Sequence, residues 1–154
     1  MIRPIEFWFE FASNYSYLSV MRVEREAARL EVPIRWRPFL LGPIFKSFGW
    51  TTSPFVLQTW KTEYVFRDME RQCRKYGFAW TRPTTFPRAS LLPAQHIIDE
   101  AQGEANKSRL RGQTEEAKAK GIFGAPTFFV GEEMFWGNDR LDDAFARCRG
   151  VERE

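Results

Sequence analysis

Between Ile5 and Phe39 the chain changes period twice, and nothing else in the sequence limits the possible folds as strongly. Ile5, Phe7, Phe9 and Phe11 alternate with Glu6, Trp8 and Glu10, the two-residue period of a strand. Ser13 and Asn14 come next, and either can cap a helix. Val20, Val23, Ala27 and Leu30 then recur at helical spacing, and the stretch from Ile34 to Phe39 reads as a second strand. Strand, helix and strand in so short a length form a βαβ unit, which predicts a parallel strand pair.

Leu41-Gly42-Pro43 and Thr51-Thr52-Ser53-Pro54 mark loops. A helix is expected between Phe55 and Tyr76, with Phe66, Met69, Cys73 and Tyr76 on its apolar stripe. Arg82-Pro83 and Phe86-Pro87 break the next stretch, and a short helix is expected around Leu91 to Ile98. A charged helix over about Glu104 to Lys120 ends at Gly121, a residue suited to the C′ position. Thr127 to Val130, a turn at Gly131-Glu132-Glu133, and Met134-Phe135-Trp136 read as a β-hairpin. Asn138 or Asp139 is expected to cap a last helix carrying Leu141, Phe145 and Cys148 on one face. The order βαβ, helices, ββα is that of an α/β, thioredoxin-like fold with helices inserted between its halves. We expect a single domain over 1–154, with the insertion at about 43–120.

With 154 residues, 44% hydrophobic and 16% aromatic, the chain suits one packed core. Its 23 basic and 20 acidic residues give a net charge of +3, spread along the chain. That pattern fits a small anionic ligand and is no footprint for nucleic acid; Arg67, Arg71, Arg74 and Lys75 read as a solvated helix face. Cys73 and Cys148 lie far apart and, with His96 the one histidine, make no metal spacing. The cysteines read as core thiols and His96 as a surface or cap residue. No segment approaches the ~20 apolar residues of a membrane span, and no signal peptide is visible. The expectation is a cytoplasmic protein without membrane contact.

In an open α/β sheet, ligands bind at the carboxyl ends of strands beside helix N-termini. Ser13 is expected at such a junction, where backbone N–H groups and the helix dipole favour an anion. Ser13-Asn14-Tyr15-Ser16 carries serine at the first and fourth positions, where a redox site of this fold needs cysteine, so dithiol–disulfide exchange is unavailable. A serine hydroxyl there can still donate to a thiolate brought by another molecule, and glutathione is the obvious supplier. Its thiol, with a pKa of ~8.5, needs roughly 2.7 kcal/mol of preferential thiolate stabilisation to fall by ~2 units. Taken alone, Ser13-Asn14 is more often just a plain helix cap. In Gly121-Ile122-Phe123-Gly124-Ala125-Pro126-Thr127, Pro126 just before a strand can take a cis bond, leaving Ala125 to pair main chain to main chain with the cysteinyl part of glutathione. The bland reading is a loop proline opening an edge strand. Trp136-Gly137-Asn138-Asp139-Arg140 groups an amide, a carboxylate and a helix start, a setting for the γ-glutamyl end with Asp139 receiving its ammonium group; alone, it too is only a cap.

Phe7 to Leu18, Arg67-Asp68-Met69-Glu70-Arg71, Gly121 to Thr127 and Phe135 to Leu141, in that order, resemble the 2-hydroxychromene-2-carboxylate isomerases, relatives of kappa-class glutathione transferases. The resemblance implies a DsbA-type thioredoxin fold with a helical insertion, a homodimer, glutathione as cofactor and an anionic aromatic catabolite as substrate. It makes Ser13 the catalytic serine facing the glutathione thiolate and Ala125 the residue before the cis-proline. It sets Trp136 to Asp139 at the γ-glutamyl site. It matches Lys46 to a basic residue in the loop that meets the substrate carboxylate, where the alternative is a solvated loop lysine. Two departures stand out. Asn14 replaces the usual proline after the serine, and the chain is short by several helical turns between Ile98 and Ala101. The implied activity is cis–trans isomerisation by reversible thiolate addition. The alternatives are a kappa-like transferase that conjugates electrophiles, or a binding module without catalysis.

Overall fold

The computed structural model describes residues 2–84 and 104–150. Strand β1 (Ile5–Phe9) runs parallel to β2 (Ile34–Pro38), with Phe7 opposite Trp36, and helix α1 (Asn14–Leu30) joins the two. Strand β3 (Thr127–Val130) pairs antiparallel with the other edge of β1, and β4 (Glu133–Trp136) pairs antiparallel with β3. The described sheet thus reads β2-β1-β3-β4, with the βαβ and ββα halves meeting along β1 and β3. The hairpin turn is tighter than expected, because Glu133 already pairs with Val130 and leaves only Gly131 and Glu132 to turn. Helices α2 (Leu41–Ser47), α3 (Pro54–Leu57), α4 (Thr59–Tyr76) and α5 (Glu104–Ala119) all fall between β2 and β3. After β4, a 3₁₀ turn (Asn138–Arg140) leads into α6 (Leu141–Cys148). The helix expected around Leu91 to Ile98, His96, the break at Phe86-Pro87 and the shortening between Ile98 and Ala101 lie outside the described residues.

Each face of the sheet has its own core. Ile5, Phe7, Phe128 and Val130 pack against Val23 and Ala27 of α1 and Leu141, Ala144 and Phe145 of α6, with the Phe7 and Phe128 rings 5.0 Å apart. Alternation places Trp8 on the opposite face, among the glutamates, yet it is fully buried. Phe39, Ile44, Ala117, Ile122 and Phe129 enclose it, so both faces are covered. The covering helix α5 escapes a hydrophobic reading because its buried contacts are the small Thr114 and Ala117. A third cluster, Leu18 with Val65, Met69 and Cys73, docks α4 against α1, on the stripe expected for that helix.

Three local expectations give way. Leu41-Gly42-Pro43 is not a loop but the first turn of α2, where proline is tolerated. The cap of that turn comes from afar: the Leu41 N–H donates to Glu10 Oε2 at 2.9 Å. The helix expected from Phe55 breaks at Gln58, separating α3 from α4. Neither Asn138 nor Asp139 caps α6; Arg140 holds that position without a side-chain bond.

Glu6, on the interior strand β1, shows how the sheet responds to pH. Burial opposes its ionisation, but Arg37 (a 3.0 Å hydrogen bond), Lys120 and the Trp8 indole outweigh burial and hold the carboxyl below its ordinary 4.5. A lowered folded-state pKa gives stability that is present above the unfolded value and lost as pH falls through the folded one. Wild type should therefore lose its advantage over Glu6→Gln as pH drops below 4.5. Melting curves of both proteins from neutral pH down into the acid range test this; a constant difference refutes it.

Candidate functional site

Ser13 stands where β1 hands over to α1, in extended backbone conformation at the cap position. Its Oγ accepts the Ser16 N–H at 3.2 Å and donates to the Ala125 carbonyl oxygen at 2.9 Å. One partner can only donate and the other only accept, so the single hydroxyl proton is assigned, and it points at Ala125. The Ala125–Pro126 bond is cis. Thr127 Oγ1 locks the loop before it, donating to the Gly124 carbonyl at 2.9 Å, while buried Ile122 anchors it to the core. Two motifs 112 positions apart are thus held in direct contact.

Above Ser13 opens a cleft of about 1280 Å³. Phe45 and Trp50, with rings 5.4 Å apart, line it on one side, Phe55 and Tyr64 from α3 and α4 on another, and the Phe123–Trp136 pair, 4.9 Å apart, beside Ala125. Lys46 lines it too, from the last turn of α2 and not from the expected loop. Gly124 is needed for this wall. A Cβ there falls 2.4 Å from the Trp136 indole nitrogen, so Gly124→Ala should push the indole aside. The expected readout is an altered tryptophan emission with folding retained; an unchanged spectrum contradicts the packing.

Sequence reasoning missed Glu10 and Tyr15. Glu10 lines the cleft but is buried; Oε1 accepts the Ala12 N–H at 3.4 Å and Oε2 the Leu41 N–H. The carboxylate thereby braces the Ser13 turn and α2 together. The available signal was an acidic residue at a strand end, which alternation files with solvent-facing positions. Tyr15 donates its hydroxyl proton to Asp68 Oδ2 at 2.8 Å, and burial, followed by the Asp68 charge, drives its pKa well above the tyrosine norm. Its proton stays put at physiological pH. Asp68 lies in one of the stretches that carried the family resemblance.

The Trp136–Asp139 stretch divides. Trp136 lines the cleft. Gly137 is tied to the cis-proline by its N–H, which donates to the Pro126 carbonyl at 3.0 Å, and Asp139 is exposed near enough to act on Tyr15. Asn138 turns inward instead. It is buried, its Oδ1 accepting from Ser19 Oγ at 3.1 Å and from Arg22 Nη1 at 3.2 Å. It supports the turn from below and does not line the cleft. Burial raises the Cys73 thiol and pushes Cys148 up to about 11, which disfavours the reactive thiolate at both positions. No helix among the described residues is long and apolar enough to cross a membrane.

Comparison with known proteins bears on this arrangement. The model of the DsbA-like thioredoxin domain matches residues 4–105 and 94–146. A 2-hydroxychromene-2-carboxylate isomerase of Sphingobium xenophagum is 29% identical over 188 aligned residues, covering 92% of this chain and 96% of the relative. Another, of Pseudomonas putida, is 24% identical over 184, covering 89% and 90%. Both alignments are longer than this chain, so the relatives carry residues with no counterpart here. A solved 2-hydroxychromene-2-carboxylate isomerase superposes with a TM-score of 0.77 at 24% identity, covering 95% of this chain and 96% of that one. A probable DsbA oxidoreductase from Streptomyces coelicolor does so at 0.62 and 15%, covering 99% and 92%. Fold, cis-proline loop and family model agree, and the chain belongs to the DsbA-like thioredoxin domain family.

Proposed function

We propose that this protein is a glutathione-dependent isomerase of 2-hydroxychromene-2-carboxylate-type aromatic acids. The observation that carries the proposal is the Ser13–Ala125 contact at 2.9 Å on the floor of an aromatic cleft. It joins a hydroxyl at a helix N-terminus to the main chain before a cis-proline, and the redox alternative lacks its cysteines. The names of the relatives supply the isomerase class.

The residues present fit the cofactor. The carboxylate of Glu10 is occupied by backbone N–H groups, and the first turn of α1 contains no acidic residue, so the floor favours a bound anion. Bound glutathione supplies a thiolate able to add reversibly to a conjugated carbon and leave again. The protein's part is electrostatic and positional. Ser13 steadies negative charge on sulfur once its hydrogen turns from the Ala125 carbonyl, and that carbonyl then takes a main-chain N–H of the ligand. Lys46 pairs with the substrate carboxylate, and the aromatic walls hold the substrate ring against the reacting centre. Tyr15 keeps its proton and acts as a fixed neighbour.

The test is a calorimetric glutathione titration, then turnover of a hydroxychromene carboxylate. Expected are binding, catalysis without glutathione consumption, and a KM raised about tenfold in Lys46→Gln, the loss of roughly one exposed ion pair's contribution with some desolvation. Stoichiometric loss of glutathione would select a conjugating transferase. No binding at millimolar glutathione would remove the enzyme reading.

A further inference from the structure

At the head of α1 two side chains compete for whatever sits in the cleft, and they differ in what they have to give. The Ser13 hydroxyl is already committed: it donates its one proton to Ala125 and accepts from Ser16. Its neighbour Asn14, the first helical residue, is not. The Asn14 Nδ2 is closed off from solvent and finds no hydrogen-bond partner among the described residues. Two other buried side-chain nitrogens share that condition, on Arg37 and Trp80, but of the three residues only Asn14 lines the cleft. A buried amide with nothing to donate to is an unfavourable arrangement that folded proteins seldom keep without a use. The carboxamide turns broadly about χ2, so its N–H groups can serve the cleft that the residue borders.

We propose that Asn14 contacts the ligand, its carboxamide donating a hydrogen bond to the anionic atom seated at the N-terminus of α1. Under the proposed glutathione-dependent function, on which this inference rests, that atom is the glutathione sulfur. The division of labour comes from the bonds in place. Asn14 offers a donor to the arriving anion without breaking anything, whereas Ser13 has one to give only after it releases Ala125. A position that tolerates proline by every local rule carries a donor instead: it is the first residue of the helix, where proline is favoured. The preceding Ser13 has the extended backbone (φ −84°, ψ 116°) that proline demands of its neighbour.

Asn14→Ala removes the carboxamide and keeps the backbone N–H, and Asn14→Pro checks the result in a variant whose helix start is reinforced. Both are titrated, beside wild type, with glutathione and with S-methylglutathione, a thioether that presents no anionic sulfur. The bound thiolate is measured by ultraviolet absorbance against pH. Both variants should bind S-methylglutathione within about twofold of wild type, while their bound glutathione thiol titrates about one unit higher. The thiolate present at neutral pH then falls up to about tenfold. A thiol titration unchanged from wild type, with glutathione still bound, overturns the role of Asn14 and leaves the glutathione reading standing. Equal weakening of both ligands also overturns it, since that is the mark of a structural residue. Wild-type protein that binds neither ligand removes the glutathione reading and this inference together.

Discussion

Ser13→Ala should lower kcat/KM for the proposed isomerisation by between about 10-fold and 100-fold. A hydrogen bond to a charged group is worth about 1.5–3 kcal/mol, and each step of about 1.4 kcal/mol is a factor of ten in rate. Two further consequences separate this role from a merely structural one. The limb of the pH–rate profile set by the bound thiol should move to higher pH, because the thiolate loses a donor. The fold should lose about 1 kcal/mol, because Ser13 also caps α1 through Ser16 at 3.2 Å. Ser13→Thr keeps the hydroxyl and should recover most of the cap. An unshifted pH profile in Ser13→Ala, with stability reduced as expected, would confine Ser13 to capping.

The largest loss of stability should come from Arg22, which no functional motif contains. Its side chain is 6% exposed. One nitrogen reaches both the carbonyl and the Oδ1 of Asn138, the other takes both Asp142 oxygens at 2.8 and 3.0 Å, and the guanidinium lies 4.4 Å from the Tyr76 ring centre. It pins α1, α4, the 3₁₀ turn and α6 to one another. Arg22→Ala removes one of the two donors to the buried Asn138 carbonyl, which keeps the Leu141 N–H. It also strips the half-exposed Asp142 carboxylate of its partner and empties a buried side-chain site, at a cost of about 3 kcal/mol in all. For a domain of this size that lowers Tm by roughly 6–12 °C. Arg22→Met keeps much of the packing and should lose less. Thermal unfolding of both variants decides the matter: a shift of under about 3 °C in Arg22→Ala would mean the network adds little.

How much of this is written in the sequence depends on the range over which each residue finds its partner. The strands, α1 and the stripe of α4 are legible because their cause is local periodicity. Ser13 is legible as a cap, and the cis-proline as a possibility of the loop; that the two touch requires the sheet. The α2 turn reads wrongly as a loop because its cap is supplied by Glu10, far back in the chain, while Gly42 and Pro43 argue locally for a loop. Trp8 groups with glutamates because the helix that buries it presents threonine and alanine. Asn138 reads as a cleft residue because nothing local reveals that Arg22 and Ser19 draw its side chain inward.

The seam between β1 and β3 carries a different kind of consequence. Ser13 comes from the first half of the chain, Ala125 and Trp136 from the second, and the ladder from Ile5–Val130 to Trp8–Thr127 fixes those halves in register. The connection from β2 back to β3 supplies Lys46 and aromatic walls of the cleft but takes no part in the Ser13–Ala125 contact, so its length can change without breaking that contact. Closing a flexible loop costs free energy only as the logarithm of its length, so doubling a loop between two helices of that connection costs only about 0.6 kcal/mol in closure. Lineages sharing this seam can gain or lose whole helices there, reshaping the outer rim of the cleft while the hydroxyl and the cis-proline loop stay in contact. Diversity in what such proteins accept should then track the length of that one connection more closely than changes in the sheet.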